Sequence, residues 1–254
     1  MITTRNLLVK YKPSNIEALK DVNITIPSNV ITCIIGPNAS GKTTLLKAIA
    51  NIVDYDGSVL IDGDDTRDLL NTLRKTLSYT RVIDSGVDYL GARVIDVLLA
   101  SRYPVSKGFC DTSEDIQEVK KAAEELGIEH LLNRRIGELS SGELQRVVIT
   151  TALVRRPRIM LFDELDAHID AVGKTFLSRY MRKLSKESTI IISTHDVVFG
   201  FYTCDYFIVM SSGHVIFQGW IDDLVNKPEP LEKAYGVPFR KINVDSRAIM
   251  IPLY

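Results

Sequence analysis

The chain has 254 residues, of which 45% are hydrophobic and 25% charged, with a formal net charge of −1. That is enough apolar material for one large soluble domain or one core with a subdomain, and the near-zero charge gives no global basic field to attract nucleic acid. The sequence shows no apolar run of about 18 residues, no basic stretch followed by an apolar leader at the N-terminus, and no metal-ligand spacing among its four histidines. Three cysteines, Cys33, Cys110 and Cys204, lie far apart without a CxxC and read as reduced, mostly buried thiols of a cytosolic protein.

Residues 2–9 and 22–26 read as strands, the second with clean apolar alternation. Val30–Ile35 is a continuous β-branched, apolar run and reads as a buried strand. It leads into Gly36-Pro37-Asn38-Ala39-Ser40-Gly41-Lys42-Thr43-Thr44, which fits G-x-x-x-x-G-K-[ST]. Leu45, Leu46, Ala48 and Ile49 then suit a helix packed on that strand. Glycines let successive N–H groups turn inward on a phosphate chain, and the helix N-terminus adds partial positive charge. Lys42 can place an ammonium on the β- and γ-phosphates, and the Thr43 hydroxyl can ligate Mg²⁺. Turns at Asp56-Gly57 and Asp62-Gly63 bracket a short strand at 58–61, so an antiparallel β layer is expected beside the nucleotide strand. Residues 65–76 read as helix and 77–80 as strand, followed by a loop from Arg81 to Gly91.

From 92 to 155 the pattern turns helical, with Ile95, Leu98 and Leu99 at helical spacing. Asp111 and Glu114 suggest a capping box for a helix over 112–126 whose inner face carries Ile116, Val119, Ala123 and Leu126. Leu139-Ser140-Ser141-Gly142-Glu143 opens a further helix, and its exposed N–H donors and two hydroxyls make either an anion site or a plain cap. Ile159–Glu164 is a buried strand ending in two acids. Asp163 is placed to hold Mg²⁺, and Glu164 to accept a proton from attacking water. A helix over 171–186 follows, then the strand 189–193 ending at His195, which can hydrogen-bond a γ-phosphate. A hairpin spans 206–218, and the tail carries a short helix, Pro228, Pro230 and a strand-like segment at 248–251. No internal repeat or low-complexity linker is evident.

Taken together, these residues resemble the ATP-binding subunits of ABC transporters, and the resemblance covers essentially the whole chain. Residues 36–44 match Walker A, 139–143 the signature usually written LSGGQ, 159–164 Walker B with its glutamate, 166–170 the D-loop including Asp170, and His195 the switch histidine. Tyr11 matches the aromatic residue that stacks on adenine. The implied fold is α/β: a P-loop NTPase core of mainly parallel sheet, an antiparallel β layer and an inserted helical subdomain. On this reading 1–254 is a single domain, with 1–91 and 156–254 forming the core and 92–155 the subdomain. The resemblance implies ATP and Mg²⁺ as ligands, and ATP hydrolysis as the activity. It implies a dimer, of this chain or with a similar subunit, in which each ATP lies between Walker A of one copy and Ser140, Ser141, Gly142 and Glu143 of the other. It also implies transmembrane permease subunits, an indirect role for a substrate-binding protein, no nucleic acid, and a place on the cytoplasmic face of the membrane.

Three motifs depart from the family pattern. Tyr79-Thr80-Arg81-Val82 stands where Tyr-x-Pro-Gln is usual, with no glutamine between 77 and 116. Ser141 and Glu143 replace a glycine and a glutamine of the signature, and Leu165 replaces the proline after the glutamate. Ser101-Arg102-Tyr103-Pro104 and the tail Leu231–Pro238 look like importers of iron-siderophores, haem and cobalamin. A soluble ABC-type ATPase without a channel, a subunit for another cargo, and a regulatory module without turnover are the alternatives.

Overall fold

The computed structural model describes residues 1–12, 15–81, 91–106, 111–167, 169–244 and 247–253. Three unbroken apolar stretches become strands buried along their whole length: β3 (Ile31–Ile35), β7 (Ile159–Asp163) and β8 (Thr189–Thr194). With β6 (Leu77–Arg81), β9 (Tyr206–Ser211) and β10 (His214–Trp220) they form a six-stranded sheet, ordered β10-β9-β3-β8-β7-β6. Its pairings are parallel except at the edge, where β10 returns antiparallel to β9. Both faces are covered, which is why these strands read as continuous apolar runs rather than alternating ones.

Alternate residues divide the core in two. On one face Ile34, Leu161, Ile191 and Ile208 pack with Leu45 and Leu46 of helix α1 (Lys42–Ile49) and with Leu19 and Val22 of a second sheet. That sheet is antiparallel, ordered β2-β1-β4-β5, from β1 (Ile2–Tyr11), β2 (Ile16–Ile26), β4 (Asp56–Ile61) and β5 (Asp64–Asp65). On the other face Ile35, Phe162, Ile192 and Val209 pack against the helical segment. Phe162 is fully buried there, and truncating such a ring to alanine costs about 4 kcal/mol. The expected β layer is therefore present.

Where residues 65–76 were expected to be helical, helix α2 covers only Leu70–Thr76. Asp65 accepts from the Arg67 N–H at 2.9 Å, and the Thr66 N–H pairs with the Val59 carbonyl at 2.9 Å. That Asx turn competes with helix and delays its start.

The segment from 92 to 155 folds as α3 (Val94–Arg102), α4 (Ser113–Glu125), two single 3₁₀ turns and α5 (Ser141–Leu153). The capping box sits one residue later than Asp111 and Glu114 predict. Thr112 is the N-cap, and Asp115 closes the box. Register is decided from outside the helix. Asp115 Oδ1 accepts from Arg102 Nε of α3 at 2.8 Å, and Oδ2 from Ser106 at 2.8 Å. The Arg102 guanidinium also donates to the Val154 carbonyl beyond α5, so one buried ion pair joins three helices. These hydrogen bonds, that from Thr112 first, hold the Asp115 carboxyl well below the usual carboxylate range.

Helix α6 (Ala171–Leu184) precedes β8. Helix α7 (Val197–Thr203) reads as nothing in particular in the sequence, because Val-Val-Phe-Gly-Phe-Tyr-Thr has poor helix propensity. An Asp196 cap and five buried side chains or backbone positions override it. The tail holds two short helices rather than one, α8 (Ile221–Asn226) and α9 (Glu229–Tyr235), then a hairpin of β11 (Phe239–Val244) and β12 (Arg247–Pro252).

Candidate nucleotide-binding site

Strand β3 ends at Ile35, α1 begins at Lys42, and residues 36–41 turn between them. Gly36 is required by packing. A Cβ there would lie 2.2 Å from the Met210 carbonyl oxygen of β9. The hairpin that joins β9 to β10 turns at Ser212 and Gly213, both with positive φ, as a two-residue hairpin loop of this twist demands. Its tip holds the loop from outside. Gly213 N–H donates to the Ser40 carbonyl at 3.0 Å, and Lys20 N–H of β2 donates to the Gly213 carbonyl at 2.9 Å.

Beside this loop lies a cavity of about 720 Å³, lined by residues 38–44, Tyr11, Glu164 and the hairpin tip. Lys42 is 5% exposed, and its ammonium donates to the Gly36 and Pro37 carbonyls at 2.9 and 3.1 Å. Burial lowers its pKa, while the Glu164 and Asp163 charges pull it back up. Ser40 is 2% exposed, and among the described residues its hydroxyl has no partner. A buried orphan hydroxyl beside a lysine and a helix N-terminus suits a phosphate oxygen. The Tyr11 hydroxyl shares a hydrogen bond with Thr44 Oγ1 at 3.2 Å, which sets the phenol ring at the mouth of this cavity.

Asp163 ends β7 fully buried, with three hydroxyls donating to it. Thr43 and Ser193 meet Oδ1 at 3.0 and 2.5 Å, and Tyr79 meets Oδ2 at 3.1 Å. Burial and the Asp163 charge together push the Tyr79 phenol up. Thr43 Oγ1 and Asp163 Oδ1 form a pair of hard oxygens of the kind Mg²⁺ takes, so the residues fit that ion.

Glu164 follows in a left-handed conformation, φ 54°, its N–H donating to both the carbonyl and the hydroxyl of Ser193. For a non-glycine residue this costs about 1 kcal/mol, and such strain concentrates at functional sites. Glu164 lines the Lys42 cavity and also a second cavity of about 580 Å³, which holds His195 and Asp166. The structure thus brings Lys42, Thr43, Asp163, Glu164 and His195 to one end of the central sheet, where the parallel strands end.

Asp170 is exposed and caps α6, accepting from the Gly173 N–H at 2.8 Å. Within the same loop Asp166 is the buried acid. Thr194 donates to it at 2.6 Å, and burial raises its pKa. His168 lies outside the described residues, as do Cys110 and the loop residues 82–90. Cys33 and Cys204 are buried and free.

Ser140, Ser141 and Gly142 are exposed at the N-terminus of α5. Ser140 caps it, and Glu143 returns the bond, its Oε2 accepting from the Ser140 N–H and hydroxyl at 2.8 Å each. The two sequence readings of this turn, cap and anion site, are compatible in this geometry, because the N–H groups of Ser141 and Gly142 are not used by the box.

Sequence reasoning missed Ser193, Tyr79 and Arg81 as companions of Asp163. The signal was available in part. Ser193 is a polar residue ending an apolar strand, and Asp163 is paired in register with both Ser193 and Arg81.

No helix among the described residues is long and apolar enough to cross a membrane. Residues 19–167 match the ABC transporter family. A phosphonate-import ATP-binding protein of Lactiplantibacillus plantarum is 31% identical over 86% of this chain and 90% of its own. A structure described as the dimeric form of a bacterial ABC transporter cassette superposes with a TM-score of 0.76 at 26% identity, over 87% of this chain and 99% of that one. An inward-facing transporter described as of metal-chelate type shares the fold with a TM-score of 0.84 at 19% identity, over 100% of this chain and 97% of that one. With the phosphate loop, the acidic strand end and the signature turn placed as described, the chain belongs to the ABC transporter family, as an ATP-binding and ATP-hydrolysing subunit of a transporter.

Proposed function

We propose that two copies of this chain close head to tail around ATP and drive import of an iron chelate, haem or cobalamin through a membrane permease, from the cytoplasmic face. The observation that carries this reading is that Glu164 lines two cavities at once, one with Lys42 and Thr43 and the other with His195. Residues 36–44 grip the phosphates, and Tyr11 turns from Thr44 to stack on the base. Thr43 and Asp163 would hold Mg²⁺, which supplies charge neutralisation at the β- and γ-phosphates. Glu164 takes the proton of the attacking water, and His195 donates to the γ-phosphate. The exposed Ser140–Gly142 turn of the opposite copy completes the anion cage, with Asp170 beside it at the junction. A bridging polyanion between two half-sites closes the pair, and its hydrolysis releases it.

The cargo class rests on Ser101–Pro104, on the tail helix ending at Gly236 followed by the β11–β12 hairpin, and on the fold likeness to the metal-chelate transporter, which extends through that tail. A Glu164→Gln variant, loaded with ATP and Mg²⁺ and run on gel filtration, is expected to elute as a dimer. Persistent monomer counts against the sandwich. Uptake of labelled ferric siderophore, haem and cobalamin by cells lacking the chain, with and without its restoration, then tests the cargo. Unchanged uptake of all three rejects that class.

A further inference from the structure

Tyr79 and Arg81 are two residues apart on β6, so both side chains leave the same face of the strand. That face looks onto Asp163, the register partner of Arg81. Tyr79 donates to Asp163 Oδ2 at 3.1 Å, and Arg81 Nε stands 4.0 Å from the same oxygen. The two contacts differ in kind. The phenol is half-buried and makes a true hydrogen bond. The guanidinium is beyond hydrogen-bond reach, and 52% of its side chain is exposed. Arg81 can therefore leave Asp163 at small cost, because Tyr79 keeps Oδ2 occupied while Thr43 and Ser193 occupy Oδ1.

The place it would move to is set by charge. Asp163 and Glu164 put two carboxylates at this end of the sheet, and Lys42 is one ammonium against them. Thr43, the first residue past the loop lysine, touches the other oxygen of the carboxylate that Arg81 faces. A five-donor fork one carboxylate's width from Thr43 suits a terminal phosphate carrying two charges. We propose that Arg81 is a γ-phosphate ligand supplied in cis from the end of β6, and that it makes this chain discriminate ATP from ADP through a cation of its own. The inference rests on the ATP-binding reading above.

The test is equilibrium binding of ADP and of a non-hydrolysable ATP analogue, each in Mg²⁺ and in EDTA, by calorimetry on the wild type, Arg81→Ala and Arg81→Gln. Both substitutions are expected to weaken the analogue about tenfold or more and to leave ADP within about twofold, with the larger loss in EDTA, where the phosphate charge is less neutralised. ADP affinity doubles as the check that the fold is intact. Equal losses for the two nucleotides, or none for either, overturn the proposal while the nucleotide site stands. A wild type that binds neither nucleotide overturns the site itself.

Discussion

The two turns that the proposed function sets around ATP are built oppositely. The loop at 36–44 keeps its phosphate-facing groups sunk in the protein: Lys42 is 5% exposed and Ser40 2%, Asp163 of β7 beside them is 0%, and these groups are held by the β9–β10 hairpin tip and by Ser193 of β8 as well as by each other. The turn at 140–142 is exposed, and the hydrogen bonds of its cap come from its own box, Ser140 and Glu143, with Arg134 behind Glu143 at 3.3 Å. Desolvated charge makes the first half strong and preorganised. Exposure makes the second half weak alone and open to a surface outside this chain. On the proposed reading, a site divided in this way binds its ligand with one half and reports it to a neighbour with the other.

The largest effect expected from breaking this asymmetry is on the buried half. Lys42→Ala removes a desolvated cation and should raise the ATP dissociation constant by about 4 kcal/mol, roughly a thousandfold, as read by calorimetry. Unchanged affinity would show that the buried loop is not the gripping half.

Next is the support of the exposed half. Asp115→Ala leaves Arg102 buried without its carboxylate and should destabilise the protein by about 3 kcal/mol in urea unfolding. The pH dependence has a definite sign. The native-state pKa of Asp115 is depressed, so its contribution is complete at neutral pH, and it shrinks as pH falls below the ordinary carboxylate value of about 4. The gap between wild type and variant should narrow in that direction only.

The smallest effect sharpens the comparison. Ser140→Ala removes one exposed cap and should cost about 1 kcal/mol of stability, a fall in Tm of roughly 2–4 °C. Isolated-subunit ATP affinity should stay level while ATP-driven dimerisation by Glu164→Gln protein is lost. If dimerisation survives, the exposed turn is a cap and nothing more.

What the sequence made readable follows the same division between local and distant causes. The phosphate loop, β3, β7 and β8 are legible because their chemistry is written in consecutive residues: glycines, a lysine, a hydroxyl and unbroken apolar runs. Ser193 was not, because its contact with Asp163 exists only through the register of β7 against β8. The cap of α4 was placed one residue early because Arg102, on another helix, chooses which acid closes the box. Helix α7 was missed because burial against β12 and α6, not propensity, holds it. The family's positions at 140–143 and 195 are assigned by their order along the chain, since their local sequences alone read more readily as a cap and a structural histidine.

The two-residue tip at Ser212–Gly213 has a practical consequence. By sequence it is the sort of surface turn that tolerates a tag, a fused domain or a new chain end. Here it works as a rivet through three layers, since the backbone of Gly213 fastens Ser40 on one side and Lys20 on the other. An insertion at that point should therefore leave the protein folded and loosen its hold on nucleotide.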